Sequence, residues 1–296
     1  MPLEWFVCPD KEIVKVKDCL NKCKGPDRCL TLPTLTLISQ QREWNGIPST
    51  TQLLNGTMME FLKLTQPYAI DPDKMAFALL GSRHHKNLQE VAKQLNLPAE
   101  VALTTDDRDI FDLLEPEGEA WTLTDYKTWG SYKVAKSLGI VKVGMQDDPS
   151  GDVYKTTSKW GKKGEPKQVP VFQVVPQEVD MSETELQLNR YRVMLEERGV
   201  AIGKMQIQIT VRDGGLAVAK SRGIERNTYK IAVERLDDRI VNNYFNEKAS
   251  SLLSALNLGK WDSPCNEEEC WGGTRCKNYC DVARYCPKGM LYQEGK

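Results

Sequence analysis

Two runs rich in branched and aromatic side chains stand out in the middle of the chain. They are Ile110, Phe111, Leu113 and Leu114, then Trp121-Thr-Leu-Thr-Asp-Tyr126, with Glu115-Pro-Glu-Gly-Glu119 between them. Such runs around a Pro/Gly turn predict a β-hairpin. The segments before it have helical spacing: Thr50 to Leu64 with Ser49 as N-cap, and residues 75 to 95, ending near Pro98. After it, residues 131 to 138 predict a short helix, and the Gly-, Lys-, Asp- and Ser-rich stretch 145 to 168 predicts an inserted loop. Pro170 to Val175 reads as a strand. Ser182 with Glu185 has the form of a capping box, opening a helix to about Arg198 that stops at Gly199. Met205 to Val211 alternates as a strand, and Leu236 to Leu256 has the periodicity of a long helix. This order of helices, hairpin, helix, strand, helix, strand and helix predicts an α/β protein.

A chain of 296 residues can bury a substantial core, and 40% hydrophobic with 27% charged residues excludes a disordered polymer. The longest apolar stretches, Met75 to Leu80 and Leu252 to Leu258, fall far short of the roughly 18 to 20 residues that span a bilayer. The opening MPLEWFVCPD has neither the charged nor the apolar region of a secretory signal. The expectation is therefore a cytoplasmic protein, of cellular or viral origin, with no membrane partner. A net charge of −1 gives no global pull toward nucleic acid, so contact with DNA would come from local patches. Two candidates are Lys159, Lys162, Lys163 and Lys167 around Trp160, and the run from Lys220 to Lys230 with Arg222 and Arg226; a solvated basic loop is the other reading of each.

The nine cysteines change the picture of the ends. Cys8, Cys19, Cys23 and Cys29 crowd the first 29 residues, and Cys265, Cys270, Cys276, Cys280 and Cys286 the last stretch. In a reducing compartment, thiolate metal ligands are a better explanation than disulfides. Cys19, Cys23 and Cys29 are spaced C-x3-C-x5-C, and Cys276, Cys280 and Cys286 repeat that spacing. Four thiolates satisfy tetrahedral Zn²⁺ or an iron-sulfur cubane, and spacing does not choose between them. The chain divides into a Cys-rich segment 1–45, a body 46–260 with a helical lead-in, and a Cys-rich end 261–296.

Within the hairpin, alternation places Asp125 and Lys127 on one face, with Asp112 on the preceding strand. Two carboxylates converging from adjacent strands make a hard oxygen site suited to Mg²⁺ or Mn²⁺, and the lysine can serve a phosphate or an attacking water. Upstream, Gly81-Ser-Arg-His-His85 puts an imidazole on a helix. Downstream, Gln187 and Tyr191 share a helical face.

The ordered set Gly81/His85, Asp112, Asp125/Lys127/Thr128 and Gln187/Tyr191 resembles the nuclease domain of RecB, of AddB and of the CRISPR-associated RecB-like nucleases. The resemblance covers about residues 81 to 191. It implies a PD-(D/E)XK, restriction-endonuclease-like core, with a central mixed sheet flanked by helices, between Cys-rich metal-binding termini. It also implies metal ligation by His85, Asp112, Asp125 and the backbone carbonyl of Tyr126, and water activation by Lys127. Gln187 and Tyr191 would support the active site or contact DNA. The implied activity is Mg²⁺- or Mn²⁺-dependent phosphodiester hydrolysis, preferably by an exonuclease, in recombination, repair, phage replication or CRISPR adaptation. A helicase, a recombinase or CRISPR adaptation proteins would be partners. One departure is Asp109, where such families carry Gly, so Asp106, Asp107 and Asp109 compete with Asp112 for the metal.

The end from Trp271 to Cys286 resembles the iron-sulfur clasp of the same nucleases, although the family spaces its first pair C-x2-C. That implies a [4Fe-4S] cluster on Cys276, Cys280, Cys286 and one amino-terminal cysteine, with the others free to hold a second metal such as zinc. The alternative is one site per end, Cys8/Cys19/Cys23/Cys29 and Cys270/Cys276/Cys280/Cys286. The rival functions are a catalytically inactive DNA-binding or scaffold protein on the same fold, and a zinc-dependent regulator.

Overall fold

In the computed structural model, which describes residues 3–104 and 108–294, the chain opens with strand rather than helix. Strand β1 (Leu3–Val7) pairs antiparallel with β2 (Ile13–Lys15), which runs straight into helix α1 (Val16–Asn21). Helix α2 (Leu32–Ser39) follows, with Pro33 in its first turn, where a missing N–H costs nothing. Phe6, Leu35, Ile38 and Cys19 close a small apolar core.

The expected helix from Thr50 to Leu64 is two helices, α3 (Thr50–Leu54) and α4 (Thr57–Thr65), broken at Asn55-Gly56. Ser49 caps α3 in a full capping box: Gln52 N donates to its Oγ, and its own N donates to Gln52 Oε1 at 3.1 Å. The break has a packing cause. A Cβ on Gly56 would overlap Cys265 Sγ, so the glycine lets the carboxyl-terminal segment lie against the start of α4. Strand β3 (Tyr68–Ile70) then joins β1 in parallel, giving the order β2-β1-β3.

Helix α5 (Pro72–Gln94) carries the residues expected at 75 to 95 and leads to strand β4 (Ala99–Ala102). The predicted hairpin is β5 (Ile110–Glu117) and β6 (Ala120–Trp129), turned at Gly118 with φ 64°. Helix α6 (Ser131–Ser137) follows. The expected loop begins later than its composition indicates, because Ile140–Asp147 is a strand, β7, paired antiparallel with β8 (Gln168–Val174). This ribbon lacks a buried face, so its sequence lacks the alternation that marks a strand.

Helix α7 (Ser182–Glu196) starts without the expected capping box. Met181 is the capping residue, and its side chain is buried in the main core, which puts Ser182 inside the first turn and beyond reach of the cap position. Strand β9 (Ile202–Val211), the short α8 (Ala217–Lys220), strand β10 (Thr228–Ala232) and helix α9 (Asp238–Leu258) complete the body. Helices α10 (Thr274–Asn278) and α11 (Pro287–Glu294) end the chain.

The protein is thus α/β, with a central five-stranded mixed sheet ordered β10-β9-β6-β5-β4. Every pairing is antiparallel except β6 with β9. A parallel pair needs a crossover, and here it passes through α7. Leu188, Tyr191 and Leu195 of α7 share the main core with Leu123, Ile207 and Ile209 of the sheet. Each such buried aliphatic side chain contributes about 1.5–3 kcal/mol. Arg192 is fully buried and bonds Asp238 at 2.7 Å and the Leu236 carbonyl at 3.1 Å, tying α7 to the start of α9. No helix among the described residues is long and apolar enough to cross a membrane.

Candidate metal centre

The centre is built where the β5–β6 ladder ends. Its last pair is Leu113 with Thr124, and one step further the register sets Asp112 across from Asp125. On the other side of β5, the pairs Ala99–Leu113 and Val101–Phe111 set Glu100 across from Asp112. Glu100, Asp112 and Asp125 therefore form one row over three strands. Asp112 is held in place by the Tyr126 backbone N–H, which donates to its Oδ2 at 2.6 Å.

Helix α5 brings the imidazole. Gly81 faces β6 so closely that a Cβ there would stand 3.3 Å from Thr128 Oγ1, and one turn on His85 meets the carboxylate row. His85 Nδ1 lies 3.2 Å from Glu100 Oε1 and 3.5 Å from Asp112 Oδ1, and Nε2 lies 3.0 Å from the Tyr126 carbonyl. Acceptors at both ring nitrogens favour the imidazolium. Asp112, and then Glu100, push the His85 pKa up to about 10.

Lys127 occupies the next position on that face of β6. Its Nζ lies 2.7 Å from Asp125 Oδ2 and donates to Gln187 Oε1 at 3.0 Å, while Gln187 Nε2 donates to Tyr191 Oη at 3.4 Å. Burial pushes the Asp125 carboxyl up to about 6, against the pull of Lys127. Apart from the Lys127 ammonium, no partner meets that buried Oδ2 among the described residues. Burial also raises the Tyr191 phenol well above its ordinary value.

His85, Asp112, Asp125, Tyr126, Lys127, Gln187 and Tyr191 are thus all gathered at one place. The tightest ligand set is His85, Glu100 and Asp112, whose ligand atoms lie within 4.8 Å of one another. Octahedral ligands about 2.1 Å from Mg²⁺ stand roughly 3–4.2 Å apart, so the trio fits a divalent cation after slight contraction. Sequence reasoning missed Glu100, and nothing in its neighbourhood marks it. Its backbone is left-handed, with φ 52°, a costly conformation for a non-glycine residue and a frequent one at functional sites.

Asp109, one of the competitors for the metal, is engaged elsewhere. Its Oδ1 accepts from Thr50 N at 2.7 Å in a buried contact that ties β5 to the start of α3. Asp106 and Asp107 lie outside the described residues. Of the basic candidates, Trp160 is 73% exposed with Lys159 Nζ 4.9 Å from its ring centroid, whereas Lys167 is paired with Asp152. Arg222 pairs with Asp213 at 3.5 Å, Arg226 stacks on Tyr229, and part of the second run is strand β10.

The carboxyl-terminal cysteines group differently from either expected set. Cys265, Cys276, Cys280 and Cys286 line one small cavity with Met58, Met59, Leu62 and Val282. No amino-terminal cysteine lines it, and Cys270 is outside the lining but within reach of both Cys276 and Lys288. Burial pushes the Cys265 and Cys280 thiols up to about 11. The segment is fastened to the body by Lys63–Asp281 at 3.2 Å, by Arg275 to Asn55, and by Tyr285 Oη donating to the Pro67 carbonyl at 2.6 Å.

Comparison with family models and with curated proteins gives no match. Among solved structures the chain is similar to one described as "Crystal structure of SSO0001", with 15% identity over 86% of this chain and 91% of that chain and a TM-score of 0.41. A likeness at that level carries no argument about chemistry.

Proposed function

We propose that the chain is a Mg²⁺- or Mn²⁺-dependent deoxyribonuclease of the PD-(D/E)XK fold, acting on DNA ends as an exonuclease. The observation that carries this reading is the convergence of seven sequence-predicted residues, scattered from position 85 to 191, on one carboxylate row. When bound, a divalent cation supplies Lewis acidity at the scissile phosphate and lowers the pKa of a bound water. His85, Glu100, Asp112 and the Tyr126 carbonyl are the residues placed to hold it. Asp125, next to Asp112 in the row, would add a further carboxylate oxygen.

Lys127 is the one cation on this face of β6, and its Nζ is aimed by Asp125 and Gln187. Held there, it donates to a phosphate oxygen or orients the attacking water. Gln187, fixed in turn by Tyr191, sets the lysine rotamer. The exposed Trp160 beside Lys159 offers a base a stacking surface next to a positive charge.

The Cys265/Cys276/Cys280/Cys286 pocket belongs to the same reading as a structural [4Fe-4S] site. Four thiols of this kind can take tetrahedral Zn²⁺ or a cubane, and the cubane is preferred because the end from Trp271 to Cys286 resembles an iron-sulfur clasp. The roles in repair, recombination, phage replication or CRISPR adaptation, with a helicase, recombinase or adaptation partner, rest on the resemblance alone.

The test is cleavage of linear single- and double-stranded DNA with Mg²⁺ or Mn²⁺, comparing the parent with Lys127→Ala. A loss of about 10²–10⁴-fold with unchanged folding is expected. Equal cleavage by the two proteins removes the proposed site.

A further inference from the structure

The cavity-lining set makes visible a second regularity in the chain. Cys265, Cys276, Cys280 and Cys286 are spaced C-x10-C-x3-C-x5-C, and so are Cys8, Cys19, Cys23 and Cys29. The whole four-cysteine ruler is duplicated, not only its last three members. The local structure is duplicated with it. The second cysteine of each set lies in a short helix, α1 or α10, the third follows that helix, and the fourth lies within three residues before a helix whose first turn holds proline, α2 or α11.

The amino-terminal four are also brought together in space. Cys8 follows β1 and opens a tight turn: Cys8 N donates to the Glu12 carbonyl at 2.8 Å, Lys11 N donates to the Cys8 carbonyl at 2.8 Å, and Lys11 has φ 71°. Cys19 is buried against Phe6, two residues before Cys8. Arg28 folds the following loop back, its guanidinium donating to the carbonyls of Cys19, Leu20 and Asn21, which returns Cys29 to the side of Cys19. Cys8 and Cys19 each lie close enough to Cys23 and Cys29, and to one another, to interact electrostatically.

We infer that Cys8, Cys19, Cys23 and Cys29 form a second, self-contained [4Fe-4S] site, independent of the carboxyl-terminal one. A cubane is assigned at this end on the shared ruler: the amino-terminal four repeat the full spacing of the set that resembles an iron-sulfur clasp. Cys29 is the exposed member, giving a cluster a way in during assembly. The two sites adjoin. Tyr68 of β3 packs against the apolar clusters of both, and Arg284, just before Cys286 in sequence, lies 5.7 Å from the Trp5 ring of β1. This inference rests on the reading of the carboxyl-terminal pocket as a cluster site, but not on nuclease activity.

The test is iron, acid-labile sulfide and zinc per chain in the anaerobically purified full-length protein. The same counts are made on Cys19→Ser/Cys23→Ser and on Cys276→Ser/Cys280→Ser. About eight irons and eight sulfides are expected in the parent, with each double variant losing half. About four irons in the parent, lost only in the carboxyl-terminal variant, overturns the inference and leaves the carboxyl-terminal reading standing. So does stoichiometric zinc lost from the amino-terminal variant. About four irons lost only in the amino-terminal variant overturns the carboxyl-terminal reading instead, and a chain without iron overturns both. The parent's count decides between one cluster and two even where a variant fails to fold.

Discussion

Gly56→Ala is a one-carbon test of how the carboxyl-terminal pocket is assembled. Gly56 has φ −63° and ψ 135°, which alanine adopts without strain. On backbone grounds alone, the substitution would stabilise by about 0.4–1 kcal/mol by restricting the unfolded chain. The added Cβ, however, would overlap Cys265 Sγ and stand 3.2 Å from Cys265 Cβ and 3.3 Å from Glu269 Oε2. Those two separations already fall inside the roughly 3.5 Å at which carbon contacts begin to be favourable. Glu269 cannot easily give way, since its carboxylate is held by Lys248 and by Asn266 N. Overpacking of this kind costs about 1–3 kcal/mol. The only cheap escape is rotation of Cys265, which removes its sulfur from the pocket.

Because Gly56 is also the N-cap of α4, and alanine is a poor N-cap, the control is Gly130→Ala. Gly130 caps α6 with a similar backbone, and a Cβ there meets only ordinary contacts, Arg212 Nη2 at 3.6 Å and Asp213 Oδ1 at 3.9 Å. The assay is a thermal melt followed by circular dichroism, with iron per chain measured on the same samples. Gly56→Ala is expected to melt several degrees below Gly130→Ala, at about 2–4 °C per kcal/mol, or to lose iron that Gly130→Ala keeps. Equal melting temperatures with full iron in both would refute the packing argument.

Three further outcomes follow from the same geometry. Glu100→Gln keeps the left-handed backbone but removes the charge, so Mn²⁺ affinity measured by titration calorimetry is expected to fall about 10–100-fold; unchanged affinity excludes Glu100 from the ligand set. Asp109→Ala strands the buried Thr50 N–H and should lower stability by about 1–3 kcal/mol, with specific activity retained below the melting transition. Lost activity at unchanged stability would return Asp109 to the metal. Burial raises the Glu60 carboxyl above its ordinary value, against Lys63 and Asn55, so the folded state holds its proton more tightly than the unfolded state does. Stability is therefore lost as pH rises from the unfolded value through the folded one, and Glu60→Gln is expected to flatten that slope above the ordinary carboxylate range. A parent-minus-variant difference in melting temperature that stays constant with pH would contradict the burial argument.

Elements that bury one continuous face left a readable period in the sequence: α5, the β5–β6 hairpin, α7, β9 and α9. Those that were missed have no such face. β4 and β10 are short edge strands, β7 belongs to an exposed ribbon, and β1, β2 and β3 gain a core only by meeting across sixty residues of chain. The site was legible in so far as it depends on period. Asp125 and Lys127 share a strand face, and Gln187 and Tyr191 share a helix face, and both pairs meet as expected. Glu100 was not legible because its position in the row depends on a left-handed backbone that local sequence does not announce. Choosing Cys265 over Cys270 needed the cavity, although the repeated spacing that agrees with it was already present in the chain.

The charge arrangement of the centre explains why one row of a sheet can hold three carboxylates. Glu100, Asp112 and Asp125 bring three negative charges into a largely buried place, and ionising them together without compensation would be prohibitive. Two cations from the chain meet them: His85, held protonated by Asp112 and Glu100, and Lys127, paired with Asp125. One negative charge is left over, and Asp125, whose carboxyl is displaced upward by burial and secondarily by Asp112, is where it weighs most. The imidazolium's N–H groups face Glu100, Asp112 and the Tyr126 carbonyl, the same oxygens that are placed to ligate a divalent ion. Exchanging the His85 proton for a dication converts a net charge of −1 into 0, with the imidazole becoming a neutral ligand. Proton and metal are therefore competitors for one set of acceptors. On the proposed nuclease reading, the balance reached with a metal would let a phosphodiester anion approach Lys127 without repulsion from the row behind it.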